Sequence, residues 1–507
     1  MSALWTSLRS GGVVKAFRVI QTPLRSCIQP PVANRILSLQ YNRLVTQTTS
    51  QGLNLLQSKR LSSTFSRPAG DLGFFTSHAF SSLALGLKSS STAHHATAAE
   101  TTLQLPPISP PSVSNWLFVS AALVFGVIVV GGITRLTESG LSIVEWRPIT
   151  GTLPPLSETE WVEEFEKYKL SPEYRLTNHN ITLDQFKNIF FWEYAHRLLG
   201  RVIGVAFVAP LAYFYARRRL TPGLPIVLTS LGLLIGFQGA LGWYMVKSGL
   251  SEKIIETNSV PRVSQYRLAA HLSMALLLFA GMLGVGLQMR TDHKWAESGV
   301  WNSLVEKNGV KPWDAVFSNP AVRRFRLAAG LLTGLVFLTA FSGAFVAGLD
   351  AGLIYNEFPY MGESFMPPID EMYKKSYAKE ANGSDLWWRN IFENPTTTQF
   401  DHRLLATTTY AAISTLFFTT ILSPLKKGGF LPALPLRLTY LTYGLVNLQV
   451  LLGISTLLYL VPVELAASHQ AGSVALLGSL VALIASLRKP GRMAQLWRDS
   501  RRGTATR

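Results

Sequence analysis

Phe190-Phe191-Trp192-Glu193-Tyr194-Ala195-His196-Arg197-Leu198-Leu199-Gly200 opens a long apolar run and puts an ionisable pair, Glu193 and His196, just inside it. Gln399-Phe400-Asp401-His402-Arg403-Leu404-Leu405 opens a later apolar run in the same way. A His-Arg-Leu-Leu tetrapeptide at the head of two separate hydrophobic spans points to a duplicated unit. Glu193 in one copy against Gln399 in the other points to halves with different tasks.

Further runs long enough to cross a bilayer, ~20 residues each, begin near Trp116, Leu224, Leu268, Leu327, Leu436 and Leu465. With the spans opening near Phe190 and Leu404 they make eight. Hydrophobic residues are 48% of the 507 and charged residues only 15%. The expected fold class is therefore an all-α membrane protein with eight transmembrane helices, arranged as two pseudo-symmetric four-helix bundles. The net charge is +18, but the bases are scattered over a leader, short loops and the tail. That distribution fits membrane topology and a lipid-bilayer partner, with no nucleic acid expected.

The charges also predict orientation. Arg217-Arg218-Arg219 follow the second span, Arg323, Arg324 and Arg326 precede the fifth, Lys426-Lys427 follow the sixth, and Arg488 to Arg502 follow the eighth. The long loops after the first and fifth spans carry acids instead, among them Glu158 to Glu166 and Glu363 to Asp385. The positive-inside rule puts both termini on the inner side and the two long loops outside.

Met1 to Gly70 holds no Asp or Glu, while Arg, Lys, Ser and Thr are spread through it. Such a leader reads as a mitochondrial-type transit peptide, which makes the inner side the matrix and the membrane the mitochondrial inner membrane. The expected organisation is 1–70 transit peptide, 71–112 linker and 113–290 first four-helix half. A matrix loop over 291–325, a second half over 326–488 and a basic matrix tail over 489–507 follow. The lone Cys27 lies in the leader, so the mature chain has no thiolate ligand and no Cys-x-x-Cys-His for covalent haem attachment.

The two halves align beyond their His-Arg blocks. Gly131-Gly132, Glu138-Ser139-Gly140-Leu141 and Glu145-Trp146 match Ser342-Gly343, Asp350-Ala351-Gly352-Leu353 and Glu357-Phe358. Gln238 to Gly242 match Gln449 to Gly453, and the fourth and eighth spans hold His271 and His469 near their starts. Four spans per unit make the repeat parallel. Duplicated transporters are built this way too, but a transporter does not explain two histidines in each copy.

His196, His271, His402 and His469 each lie a few residues into a span, roughly 5 to 10 Å below the outer boundary at ~1.5 Å per residue. Facing imidazoles on the second and fourth helices of a bundle suit the two axial positions of a haem iron. A structural zinc site would want thiolates, and a di-iron carboxylate site a second Glu-x-x-His where this chain has Gln399-x-x-His402. Arg197 and Arg403 follow their histidines as candidates for haem propionate contacts or as snorkelling side chains. Glu193 shares a helix face with His196. In a membrane bundle it reads as a structural hydrogen-bond acceptor or a group for proton transfer.

On Gly131-Gly132-Ile133-Thr134-Arg135-Leu136-Thr137-Glu138-Ser139-Gly140-Leu141-Ser142, on Glu193-Tyr194-Ala195-His196-Arg197 and on the later glutamine and histidine blocks, the chain resembles the heme A synthase family in its mitochondrial form. The resemblance covers about residues 116–487. It implies an oxidoreductase for cytochrome c oxidase assembly that converts the C8 methyl of heme O to the formyl of heme A, through successive hydroxylations and loss of water. It also implies that His196 and His271 ligate heme O or heme A, with Glu193 as the catalytic carboxylate. His402 and His469 would then ligate a permanent heme b. As partners it implies a heme O synthase, a ferredoxin-type electron donor, cytochrome c oxidase assembly factors and further copies of the chain. Against it stand a di-haem b-type cytochrome that only carries electrons and a haem-delivery protein without turnover. Only the enzyme makes Glu193 essential in one half. The loop segment from Ser157 to Leu170 reads as a short amphipathic helix, on the membrane or as a lid.

Overall fold

A computed structural model describes residues 108–147, 151, 153–251 and 262–505. The leader, with Cys27, His78, His94 and His95, lies outside them. The described chain is helical, and eight helices are long and apolar enough to cross a membrane. They are α1 (Pro111–Leu136), α2 (Leu183–Ala216), α3 (Leu224–Gly249), α4 (Gln265–Ser298), α5 (Pro320–Gly348), α6 (Pro395–Leu422), α7 (Ala433–Leu458) and α8 (Val463–Ser486). The eight expected spans are thus all present, in an all-α membrane protein.

Local chemistry sets where they start. Pro111, Pro320 and Pro395 each open their helix, where the missing N–H costs nothing. Helix α2 begins at Leu183, well before the apolar run at Phe190, because Thr182 and Gln185 form a reciprocal capping box. That adds about two turns above the apolar run. Helix α4 ends at Gly299, whose φ of 65° closes it in a left-handed turn.

In the first half α1 packs against α2 and α4, and α3 closes the ring against the same two; α5, α6, α7 and α8 repeat the pattern. The halves meet where α4 packs on α5 and α8, and where α1 packs on α8. Two polar devices fix that seam. Gln470 of α8 donates to the Ile128 carbonyl of α1 at 3.1 Å. It fills the space above Gly132, where a Cβ would lie 1.8 Å from the Gln470 amide oxygen. Arg135 and Arg262 of the first half both pair with Asp350 of the second, at 2.9 and 3.1 Å.

The polypeptide between α4 and α5 and the C-terminal helix Arg492–Ala505 form a separate cap. Trp295, Trp301, Trp313 and Ala494 are buried together. Glu306, beside them, accepts from Arg498 at 3.1 Å and from Arg502 at 2.7 Å. At the other end, helix Glu158–Lys169 buries Phe165 and Tyr168 against Phe186 and Phe190 of α2. Each aromatic pair there contributes about 0.5–1.5 kcal/mol beyond area burial. The amphipathic helix is therefore a lid on the α2 extension.

Candidate functional site: paired histidines below the long loops

Each span histidine is approached by a glycine of a neighbouring helix. His196 lies against Gly131, His271 against Gly242, His402 against Gly343 and His469 against Gly453. A Cβ at these glycines would lie 2.8, 3.5, 3.1 and 2.8 Å from the respective imidazole Cε1. In a close-packed bundle the missing methyl groups are what let the rings sit where they do. These glycines are visible in the aligned halves, yet sequence reasoning used them only to register the repeat.

The rings of His196 and His271 stand with centroids 6.4 Å apart and planes inclined by 68°. Two imidazoles bound to one metal at about 2 Å each have centroids about 6 Å apart, so the pair has the spacing of trans ligands to a haem iron. His402 and His469 hold the matching places on α6 and α8, each against its own glycine. The Ser342 hydroxyl donates to the Thr339 carbonyl at 2.7 Å. Its single proton used, Ser342 accepts from His402 Nδ1 at 2.7 Å, which leaves Nε2 of His402 bare for a metal. In contrast, Nδ1 of His196, His271 and His469 is buried without a hydrogen-bond partner. Gln238 and Gln449 donate to the backbone carbonyls of His271 and His469, at 3.0 and 2.9 Å, and hold α4 and α8 to their neighbours. The His196–His271 spacing fits a bis-histidine haem, and the second half repeats the donor set.

Glu193 is 3% exposed. Its Oε2 accepts from the Ser142 hydroxyl at 2.6 Å and the Ile143 N–H at 2.8 Å, and its Oε1 from Arg197 at 2.6 Å. Three donors on two oxygens are the surroundings of a carboxylate. Arg197 completes the grip by donating to the carbonyls of Ile143 and Glu145 at 3.0 and 3.2 Å. In the other half Gln399 accepts from the Tyr355 N–H at 3.2 Å and donates to the Tyr355 carbonyl at 2.9 Å. Arg403 donates to the carbonyls of Tyr355 and Tyr360 at 2.8 and 3.0 Å. Ile143 and Tyr355 are matched positions, so both copies clamp the returning loop with the same two helix residues. The difference is charge: the first half adds the Ser142 hydroxyl and keeps an acid, whereas Ile354 occupies the matching place in the second.

The geometry thus brings Glu193, Arg197, His196 and His271 into one half, and Arg403, His402 and His469 into the other. Trp243 and Tyr244 lie at the end of α3 under Lys247 and Arg267, at 4.9 and 4.6 Å from the cation to the ring centroid. His293 pairs with Glu297 at 3.1 Å.

Residues 114–481 match the family described as cytochrome oxidase assembly protein, COX15-CtaA. The chain is 45% identical over 385 residues to "Heme A synthase COX15" of Saccharomyces cerevisiae, covering 75% of this chain and 76% of that one. It is 44% identical over 378 residues to "Heme A synthase COX15" of Homo sapiens, covering 74% and 83%. It is 45% identical over 377 residues to the "Heme A synthase-mitochondrial ferredoxin fusion protein" of Schizosaccharomyces pombe, covering 74% and 60%.

Proposed function

The chain belongs to the COX15-CtaA family of cytochrome oxidase assembly proteins, and from that premise we propose that it is a heme A synthase oxidising the C8 methyl of heme O to a formyl group. The observation that carries this reading is the pair His196 and His271 at 6.4 Å, in the half that also keeps a buried acid. His196 and His271 would hold heme O, and His402 and His469 a permanent heme b. When bound, heme b supplies one-electron redox chemistry. Ser342 supports the permanent role, because a hydrogen-bonded imidazole has a fixed tautomer and orientation.

Turning a methyl into a formyl group breaks two C–H bonds and passes four electrons to an oxidant of the dioxygen class, and the protons of those bonds must be taken up. Glu193 is the acid held in place to take them: Ser142, Ile143 and Arg197 fix both its oxygens. Arg197 tempers the cost of keeping that charge inside the bundle. Gln399 can clamp its loop but cannot accept a proton, so the second half is the electron-carrying one. Among propionate contacts Arg403 comes first, because its Nε is buried without an acceptor; Arg197 is more fully engaged.

The electron donor is ferredoxin-like, a reading supported by the fusion of the Schizosaccharomyces pombe relative. The setting is the mitochondrial inner membrane with both termini in the matrix. A heme O synthase supplies the substrate, assembly factors take the product, and copies of the chain associate.

Haem extraction and chromatography of the wild type and of Glu193→Ala test the proposal. Heme A in the wild type, with heme O accumulating and heme A absent in the variant, is expected. Two b-type haems and no heme A in the wild type would instead favour a di-haem electron carrier. Unchanged heme A in the variant would remove Glu193 from the chemistry.

A further inference from the structure

Behind Glu193 the loop between α1 and α2 buries a second carboxyl group. Glu173 opens the short helix Pro172–Leu176 and is 5% exposed. Its Oε2 is buried and meets no hydrogen-bond donor. Beside it lies the hydroxyl of Tyr168, which is fully buried on the lid helix. That hydroxyl in turn accepts from the Asn178 amide at 2.9 Å.

The charged groups acting on Glu173 are Glu193 of α2 and Glu138 of the turn after α1, both acids. Arg197 is committed to Glu193 at 2.6 Å, and Lys167 of the lid to Glu164 at 2.7 Å. A buried acid with an unpartnered oxygen and acidic neighbours is most stable carrying a proton. Burial, and then the charge of Glu193, push Glu173 up to about 8. An apolar side chain would fill the same space without leaving an oxygen unsatisfied, so the buried acid calls for a role.

Resting on the heme A synthase reading of this half, we propose that Glu173 is the proton-holding partner of Glu193. When Glu193 takes a proton from the oxidation, Glu173, itself 5% exposed, releases its own to water at the loop surface. One O–H bond forms on Glu193 as one on Glu173 breaks. No electron moves, and the two carboxyl groups together carry one negative charge before and after. Like-charge coupling drives the exchange, because two neighbouring carboxylates resist being ionised together. Glu173 acts through Glu193 and is a positioning residue for the proton.

Infrared spectroscopy of the purified full chain, titrated from pH 6 to pH 10, tests this without reference to turnover. The wild type is expected to show a carboxylic-acid band at neutral pH that fades with a midpoint near 8. Glu173→Gln should abolish the band, and Glu193→Gln should move its midpoint down by removing the negative neighbour. Glu173→Asp serves if the glutamine variant does not fold: the band should shift and persist. A spectrum in which neither Glu173 variant alters any carboxylic-acid band overturns the proposal, as does a midpoint indifferent to Glu193→Gln.

Heme A formation against pH supplies the second readout. Glu173→Gln should form heme A about tenfold more slowly or worse, and should lose the wild type's decline above pH 8, with haem still bound. Wild-type rates with an unaltered pH profile in that variant also overturn it. If the wild type itself makes no heme A, the synthase reading fails, while the infrared titrations still decide whether Glu173 holds a proton coupled to Glu193.

Discussion

Replacing Gly131 by alanine probes the glycine–imidazole contact directly. The new Cβ would lie 2.8 Å from Cε1 of His196 and 3.2 Å from its Nδ1, where ordinary contact begins at 3.4 Å. The ring must therefore give by about 0.6 Å, taken as the difference of those two distances. A buried imidazole has no flexible end to swing aside, and overpacking of this kind costs about 1–3 kcal/mol. Expressed as lost haem affinity in the first half, that is about 5- to 150-fold. Gly242→Ala is the internal control, because its Cβ would meet His271 at an ordinary 3.5 Å. Its affinity should stay within about twofold of the wild type. The assay is a haem titration of the full chain in detergent, followed by Soret absorbance. Equal affinities for Gly131→Ala and Gly242→Ala would refute the idea that the glycines set the ring positions.

Three further changes test the supporting structure. Glu306→Ala removes the acceptor shared by Arg498 and Arg502, both partly exposed, and should cost about 1–3 kcal/mol. Hydrogen exchange should rise in helix Arg492–Ala505 and stay unchanged in α2; unaltered exchange in both would contradict the latch. Gln399→Glu sets a carboxylate oxygen against the Tyr355 carbonyl now held at 2.9 Å, and should lower stability by about 1–2 kcal/mol. An unchanged melting temperature in that variant would contradict the clamp. Asp350→Asn takes the charge from the Arg135 and Arg262 pairs, and should weaken the seam between halves by about 1 kcal/mol in low salt, less in high salt. A loss that ignores salt would contradict an ionic origin.

The eight spans were legible because bilayer thickness imposes a length that any apolar run must meet. The first histidine of each pair was legible because the His-Arg-Leu-Leu blocks mark matched places in both copies, and the second because the aligned fourth and eighth spans each hold one near the start. What holds Glu193 was not, since Ser142 and Ile143 come back to it from about fifty residues away through an irregular loop. Glu173 follows Leu170-Ser171-Pro172 in a loop with no apolar period, so only the folded lid shows it buried. The longer start of α2 did have a local signal, Thr182-Leu183-Asp184-Gln185, but hydrophobicity alone passes over a polar capping box. The docking of the C-terminal helix had none, because Glu306 and Arg498 meet across nearly two hundred residues.

Bound haem in the full chain and in single-histidine variants tests the central claim most directly, by haemochrome stoichiometry and low-temperature electron paramagnetic resonance. With heme O supplied, the wild type should bind two low-spin bis-histidine haems. His196→Ala should lose the one in the first half and keep the other, and His402→Ala should do the reverse. Full haem content with unchanged low-spin signals in either variant would contradict the account.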